Sequence, residues 1–470
     1  MIKTKNTGAY AGIVGVQHKK NGVCAAVAGC FAKVAGAYQS VFTLTPPALR
    51  IAALGQRAPD SRMTAAGYTR FTSEIPFQVD KAHSSITLSF VNWWLTSGYA
   101  TGSGGAVTIE SLTVWVGGAS VSPGFPDGAQ LVLADMATDA KSNPIPAVAL
   151  GIAAFDPGVN YWMKVSWYAP AGYLPRNAVG WLAPTAGVKF AWYDPTSTTL
   201  GNVSGPGAFA FGTATGLPVF TQSGGPVPFV LGTPVDGVDD SILIESDSNG
   251  AGTGDVIRAL TVKGGGHAER SVMDYARKFA SINFSKTNTT ATQWAGTNGM
   301  AVVRAYYAHT KTIYNRLGGN DFLDAATATT LANYKTNQLA IIARYRAAGI
   351  TKCVLGAIWT RTTDATGMPW TTLAGQTVAI GREPASVTPP DGGLTLQANK
   401  WLSEQVDAVS AMRVSFVPFT VMRDVPANKW PVTSVDGQTT GVANTTDGTH
   451  ANPIGHEKGG AELYPFFASP

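Results

Sequence analysis

The sequence predicts a multidomain chain in which N-terminal all-β structure, a β-sandwich or jelly roll, precedes a doubly wound parallel α/β sheet. Three observations point there. At 470 residues the chain exceeds what one hydrophobic core organises, so two or three domains are expected. Apolar residues alternate with period two across residues 43–235, as in strands with one buried face. After residue 238 short continuous apolar runs alternate with helical patterns, as in a sheet covered on both faces. The 53 glycines and a charged content of only 13% fit short turns and packed interiors.

Residues 1–42 form a short β-rich module. Apolar runs around Val23–Val27 and Phe31–Val34 are separated by turn residues, and Gly36-Ala37-Tyr38 follows, the pattern of a β-meander. Residues 43–235 are the sandwich. "SSITLSFVNWW" alternates Ile86, Leu88 and Phe90, "YWMKVSWY" aligns Met163, Val165 and Trp167, and "VKFAWYD" aligns Val188, Phe190 and Trp192. Seven of the twelve tryptophans fall here. Their rings fit either a sandwich core or a glycan-binding platform. "TQSGGPVPFVLGTPVDG" (221–237) reads as a linker.

Residues 236–470 carry the α/β pattern. "SILIES" (241–246), "ALTVK" (259–263), "TIYNRL" (312–317), "VLGAIW" (354–359) and "VSFVPF" (414–419) are the expected strands. A long helix spans about Asp324–Ala348, with Leu331, Tyr334, Ile341 and Tyr345 on one face and Gly349 at its end. A second carries Leu402, Val406 and Val409.

The bulk numbers exclude several classes. A net charge of +5 is thinly spread and has no basic block beyond Lys19-Lys20, so no nucleic-acid partner is expected. No apolar run reaches the ~18 residues that suggest a membrane span. Cys24, Cys30 and Cys353 make no disulfide framework, although a Cys24–Cys30 bridge is compatible with the spacing. No CxxC or HExxH spacing occurs, and no metal or cofactor is expected.

Three clusters at strand ends carry the chemistry. "IESDSNGAGTGD" places Ser246-Asp247-Ser248 where the first strand of the α/β part ends. "IYNRLGGND" ends another strand on Gly318-Gly319-Asn320-Asp321. "DGTHANPIGH" places Asp447 and His450 three residues apart near the C-terminus. Ligands in open α/β sheets bind beyond the carboxyl ends of the strands. A serine is nucleophilic at neutral pH only beside a base, and the base needs an acid to orient it.

Together the three clusters resemble the SGNH (GDSL-type) hydrolase family over residues 240–465. The resemblance implies Ser248 as nucleophile, His450 as general base and Asp447 as its orienter. It implies an oxyanion hole made by the Ser248 N–H, the Asn320 side-chain amide and a backbone N–H from Gly266 or Glu269. Ser246 stands where the family has glycine, and a segment around 360–393 reads as an insertion overhanging the site. His456 lacks an acid three residues upstream, so His450 is preferred as the base. His267 reads either as a substrate contact or as an ordinary loop histidine.

"KVAGAYQSV" (33–41) resembles short modules of bacteriophage tail and other virion proteins. The combined expectation is a serine esterase that removes acyl groups, O-acetyl above all, from a bacterial surface polysaccharide. It would be carried on a virion among other tail proteins, and a homo-oligomer is compatible with this. One alternative is a non-catalytic structural or receptor-binding virion protein. Another is an esterase anchored to the bacterial cell surface as a lipoprotein, because Val27-Ala28-Gly29-Cys30 resembles a lipoprotein cleavage box.

Overall fold

The computed structural model describes residues 48–469 apart from 65–68, 97–99, 103, 171–172, 177–188, 194–218, 221–226, 256–264, 297–299, 323–328, 365–371, 374, 379–390, 423–427, 435–440 and 446; before residue 48 it describes the strands of residues 17–43. The chain divides into two compact units, Met1–Ala48 and Leu49–Pro470. In the first, Gln17–Lys20 pairs with Val23–Ala26 and Gly29–Val34 with Ala37–Thr43. These are two separate antiparallel hairpins where the sequence suggested one meander.

The second unit is mixed α/β with several sheets. One antiparallel sheet orders Ala119–Val121, Val107–Val116, Tyr161–Tyr168, Arg70–Phe77, Lys189–Tyr193 and Val219–Phe220, with Leu131–Leu133 also on Val107–Val116. Another orders Ala140–Lys141, His83–Phe90, Phe229–Pro234 and Arg50–Ile51, with Ile145–Pro146 also on His83–Phe90. Both contribute to one core, where Ile75, Leu112, Met163, Val165 and Trp167 of the first meet Ile86, Leu88 and Phe90 of the second. Trp93, Trp94, Trp115 and Trp167 are buried.

The stretch read as a linker contains the strand Phe229–Pro234, every residue of it buried. The glycines and prolines of the stretch suggested a loop, yet Phe229-Val230-Leu231 has something to bury on both sides. Successive side chains of a strand point to opposite faces. Val230 therefore joins the core just described, while Phe229 and Leu231 join a second core with Leu243, Ile282, Phe284 and Tyr306. The expected boundary at 235/236 thus lies inside one unit.

The sheet that positions the site is parallel throughout. Its strands are β1 (Gln56–Arg57), β2 (Ile242–Ser246), β3 (Ser281–Asn283), β4 (Thr312–Arg316), β5 (Lys352–Gly356) and β6 (Arg413–Val417), in the spatial order 6-5-4-2-3-1. On one face, α3 (Leu331–Ala347) and α4 (Leu394–Glu404) place Tyr334, Ile341, Tyr345 and Leu402 on Leu243, Ile313 and Leu355. On the other, α1 (Gly266–Met273) and α5 (Pro453–Ala468) place Val272 and Leu463 on Ile242, Ile244 and Val354. Burial on both faces is why these strands read as continuous apolar runs.

Some expectations shift. The long helix starts at Leu331, where Thr330 accepts the Asn333 N–H, and ends as expected before Gly349, whose φ is +76°. α4 stops at Glu404, so Val406 and Val409 are exposed and belong to no helix. The Asp407 carboxylate accepts the N–H groups of Val409 and Ser410, a turn that competes with helix. "ALTVK" lies outside the described residues. β1 and β3, which no sequence pattern marked, complete one edge of the sheet.

Candidate active site

β2 ends on Ser246, and the chain turns at once, with the Asp247 carbonyl accepting from Ala251 N and that of Ser248 from Thr253 N. The turn leaves Ser248 at the carboxyl end of the sheet, in a narrow cleft that Asn320, Trp359, Arg361 and Thr449 also line. Ser246, in place of the glycine that the resemblance implies, is buried and donates its hydroxyl to the Arg316 carbonyl at 2.9 Å. It ties β2 to β4 and takes no part in the cleft.

The loop before α5 carries Asp447 and His450. His450 Nε2 lies 3.1 Å from Ser248 Oγ, and its Nδ1 lies 2.6 Å from Asp447 Oδ2. An ionised carboxylate only accepts, so Nδ1 carries the proton and Nε2 is left to accept from the serine hydroxyl. Asp447 Oδ1 also accepts the backbone N–H of Thr449 at 2.8 Å and of His450 at 2.7 Å. Burial raises the Asp447 pKa, but the hydrogen bonds from the His450 ring and these two N–H groups outweigh it. The carboxyl is held well below the usual carboxylate range. It therefore stays charged and fixes the imidazole tautomer that turns Nε2 toward the Ser248 hydroxyl.

The Gly-Gly-Asn-Asp turn after β4 has a distinct job for each residue. Gly318 adopts φ +124°, and a Cβ there would meet the Ile358 side chain at 2.4 Å. A Cβ on Gly319 would lie 2.4 Å from Asp247 Oδ2, so only glycine lets this turn lie against the Ser248 turn. Asn320 Nδ2 donates to the Thr289 carbonyl at 2.9 Å. Its second N–H has no partner among the described residues, and Asn320 lines the cleft. Asp321 is buried and accepts Ala291 N, at the start of α2 (Ala291–Ala295), through both carboxyl oxygens.

Gly266 and Glu269 do not line the cleft. The Gly266 N–H donates to Asp255 Oδ2 at 3.0 Å, and the Glu269 carboxylate is buried against Arg57 and Asn283. Arg57, from β1, also donates to the carbonyls of Ala251 and Gly265 and so fastens the Ser248 turn to the start of α1. The element that meets Asn320 is instead the turn between β3 and α2, where Asn288 has φ +62° and Thr289 offers its carbonyl. The signal for it was the Asn288-Thr289-Thr290 run before α2, where Thr290 and Gln293 form a capping box.

The other two histidines near these blocks are structural. His456 is fully buried on α5; its Nδ1 accepts the His267 N–H and its Nε2 donates to the Thr253 carbonyl, both at 3.0 Å. Burial pushes its pKa down to about 4. His267 is buried on α1 and shares a 2.7 Å hydrogen bond with the Tyr314 hydroxyl, so it makes no substrate contact. Arg316, which the sequence did not single out, lies beneath the cleft. It donates to Asp247 Oδ1 at 2.8 Å and stacks 4.3 Å from the Trp359 ring centroid. The same Asp247 oxygen accepts Asn249 N at 3.0 Å, so this pair holds the serine turn from below.

The described part of the 360–393 segment is a hairpin of Thr362–Asp364 with Gln376–Val378. Its first strand donates Thr362 N to the Gly448 carbonyl at 2.9 Å, within the loop that carries Asp447 and His450.

No family model and no curated protein matches the sequence at a significant level. Among solved structures, the chain is similar to a lipase from a goat rumen metagenome at 13% identity, covering 48% of this chain and 96% of that one, with a TM-score of 0.32. It is similar to a GDSL-like lipase from Bacteroides thetaiotaomicron at 13% identity, covering 48% and 87%, with a TM-score of 0.31. A family two carbohydrate esterase from Cellvibrio japonicus aligns over 89% of this chain and 94% of its own, at 12% identity and a TM-score of 0.27. At these identities and TM-scores none of the likenesses bears on what this site does, which rests on its own atoms.

Proposed function

We propose that this chain is a serine esterase of the SGNH type, acting on ester-linked acyl groups through Ser248, His450 and Asp447. The observation that carries the reading is the unbroken Asp447–His450–Ser248 hydrogen-bond chain at the mouth of a cleft. His450 removes the hydroxyl proton as Oγ attacks the ester carbonyl, then returns it to the departing alcohol. Water repeats the cycle on the acyl-enzyme. The Ser248 N–H and the Asn320 amide are the donors to the developing oxyanion. We read the fold as a doubly wound sheet of this family beside a β-sandwich.

The substrate we favour is an O-acetylated bacterial surface glycan, and the setting a phage tail or similar particle joined through residues 1–42. That part rests on the resemblance of "KVAGAYQSV" to virion modules. An enzyme displayed on a particle gains effective concentration on a polymeric substrate. Deleting residues 1–42 is expected to leave esterase activity intact and remove the protein from particles. A native chain beginning at a lipid-bearing Cys30 would favour the cell-surface setting instead.

Hydrolysis of p-nitrophenyl acetate tests the enzymatic reading. Ser248→Ala is expected to lower kcat by roughly 10⁴-fold or more, the scale for loss of a triad serine. Equal turnover by both proteins would remove Ser248 from the chemistry, and hydrolysis by the wild type no faster than the buffer background would favour a non-catalytic binding protein.

A further inference from the structure

Arg361 lines the cleft that holds Ser248, is partly buried, and has no hydrogen-bond, ion-pair or ring partner among the described residues. The other charges of the cleft and its rim are spoken for. Arg316 is paired with Asp247, and Asp447 is engaged by His450 and two backbone N–H groups. Among the described residues, Arg361 is therefore the one guanidinium of the cleft without a charge partner.

Its backbone is held on both sides. Thr360 Oγ1 donates to the Asn428 carbonyl, and Thr362 N donates to the Gly448 carbonyl. Gly448 in turn accepts Trp430 Nε1 at 2.9 Å, and Trp430 exchanges hydrogen bonds with the Gln376 side chain in the neighbouring strand of the hairpin. The held backbone fixes where the Arg361 side chain emerges beside Ser248, so that its guanidinium can reach an anion in the cleft. The planar fork of a guanidinium matches the paired oxygens of a carboxylate or sulfate.

We infer that Arg361 binds an oxyanionic group, carboxylate or sulfate, on the sugar next to the scissile ester, so that the preferred substrates are acyl esters of acidic glycans. This rests on the esterase reading for the word substrate, but not for the binding itself.

The test measures binding without turnover. Calorimetry on the full-length Ser248→Ala protein compares three probes: an O-acetylated methyl glucoside, the corresponding glucuronoside and the corresponding glucoside 6-sulfate. One or both anionic probes are expected to bind about tenfold or more tightly than the neutral one, as a partly desolvated charge-assisted pair allows. Adding Arg361→Gln is expected to bring the ratio to within about twofold, while Arg361→Lys retains part of it, because charge survives and the fork does not. The stronger of the two anionic probes identifies the group. Equal affinity for neutral and charged probes, or a preference that survives Arg361→Gln in a protein with unchanged thermal unfolding, would overturn the inference. Absence of ester turnover by the wild type would be a separate result, removing the esterase reading and leaving anion selectivity to be judged on these affinities.

Discussion

The rim of the cleft and the layer beneath it use the same residue types for opposite purposes. At the rim, the Asp447 side chain is 51% exposed and His450 23%, and they face each other and Ser248. Beneath, Asp247 and Arg316 form an ion pair with each side chain only 2% exposed, while His456 and His267 are sealed in the core. His450 keeps one nitrogen for an acid and one for a hydroxyl. His456 spends both on main-chain groups and can move no proton. A histidine is a base by virtue of its second partner, and burial with two fixed partners makes it a strut.

Substitutions sharpen that contrast. The largest effect belongs to His450→Ala, which is expected to lower kcat/KM by about 10⁴-fold or more with thermal unfolding nearly unchanged. His456→Gln should stay within about tenfold in activity yet unfold more easily, since a buried hydrogen-bond partner is worth roughly 1–3 kcal/mol. Steady-state kinetics beside thermal melts separates the two, and the opposite pattern would exchange their roles. Next comes Asn320→Ala, for which kcat is expected to fall about 10²–10³-fold, the range for losing one oxyanion donor. A normal kcat in that folded variant would reduce Gly318–Asp321 to a turn.

Below the cleft the expected losses are of stability. Arg316→Met leaves the Asp247 carboxylate buried and unpaired, at a cost of about 3–5 kcal/mol in urea unfolding. Adding Asp247→Asn should recover a large part of it. A single Arg316→Met variant as stable as the wild type would mean that the pair holds nothing.

The smallest effect is a pH dependence. Burial pushes the folded His456 down to about 4, against an ordinary value of 6.5. Between those values the unfolded chain takes up a proton that the folded one does not, so this contribution to stability is present above the upper value and fades as pH falls. The stability gap between wild type and His456→Gln should therefore narrow by on the order of 1–2 kcal/mol from pH 7 to pH 5. Comparing the variant with the wild type leaves out Glu245, which burial raises to about 7 and whose contribution runs with the opposite sign. A gap that widens on acidification would place a charged histidine at this position.

What could be read in the sequence divides along the same line. Ser248, Asn320 and the Asp447–His450 pair sit in short segments at strand ends, where residue type and spacing carry the chemistry. The structure brings Ser248, His450 and Asp447 within hydrogen-bonding reach, with Asn320 on the same cleft. Arg316 reaches Asp247 across 69 positions and Arg57 reaches Glu269 across 212, so no local pattern could announce either pair. β3 spans three residues and β1 two, too short for a period to appear. Gly266 and Glu269 were expected beside Asn320, but the turn that meets it follows β3, a strand too short to be marked in the sequence. The Phe229–Pro234 strand was hidden by Gly232, Pro234 and the Gly/Pro-rich residues before it, since its partners are supplied by two cores that only the folded chain brings together.

The proposed nucleophilicity of Ser248 depends on His450 beside it. Intact-mass and peptide-mass measurement after treatment with a fluorophosphonate tests this most directly, since the reagent is captured by an activated serine whatever the natural substrate. A single adduct per chain is expected, mapped to Ser248, absent from Ser248→Ala, formed far more slowly in His450→Ala and at near wild-type rate in His456→Gln. No adduct on the wild type, or equal labelling of the wild type and His450→Ala, would contradict it.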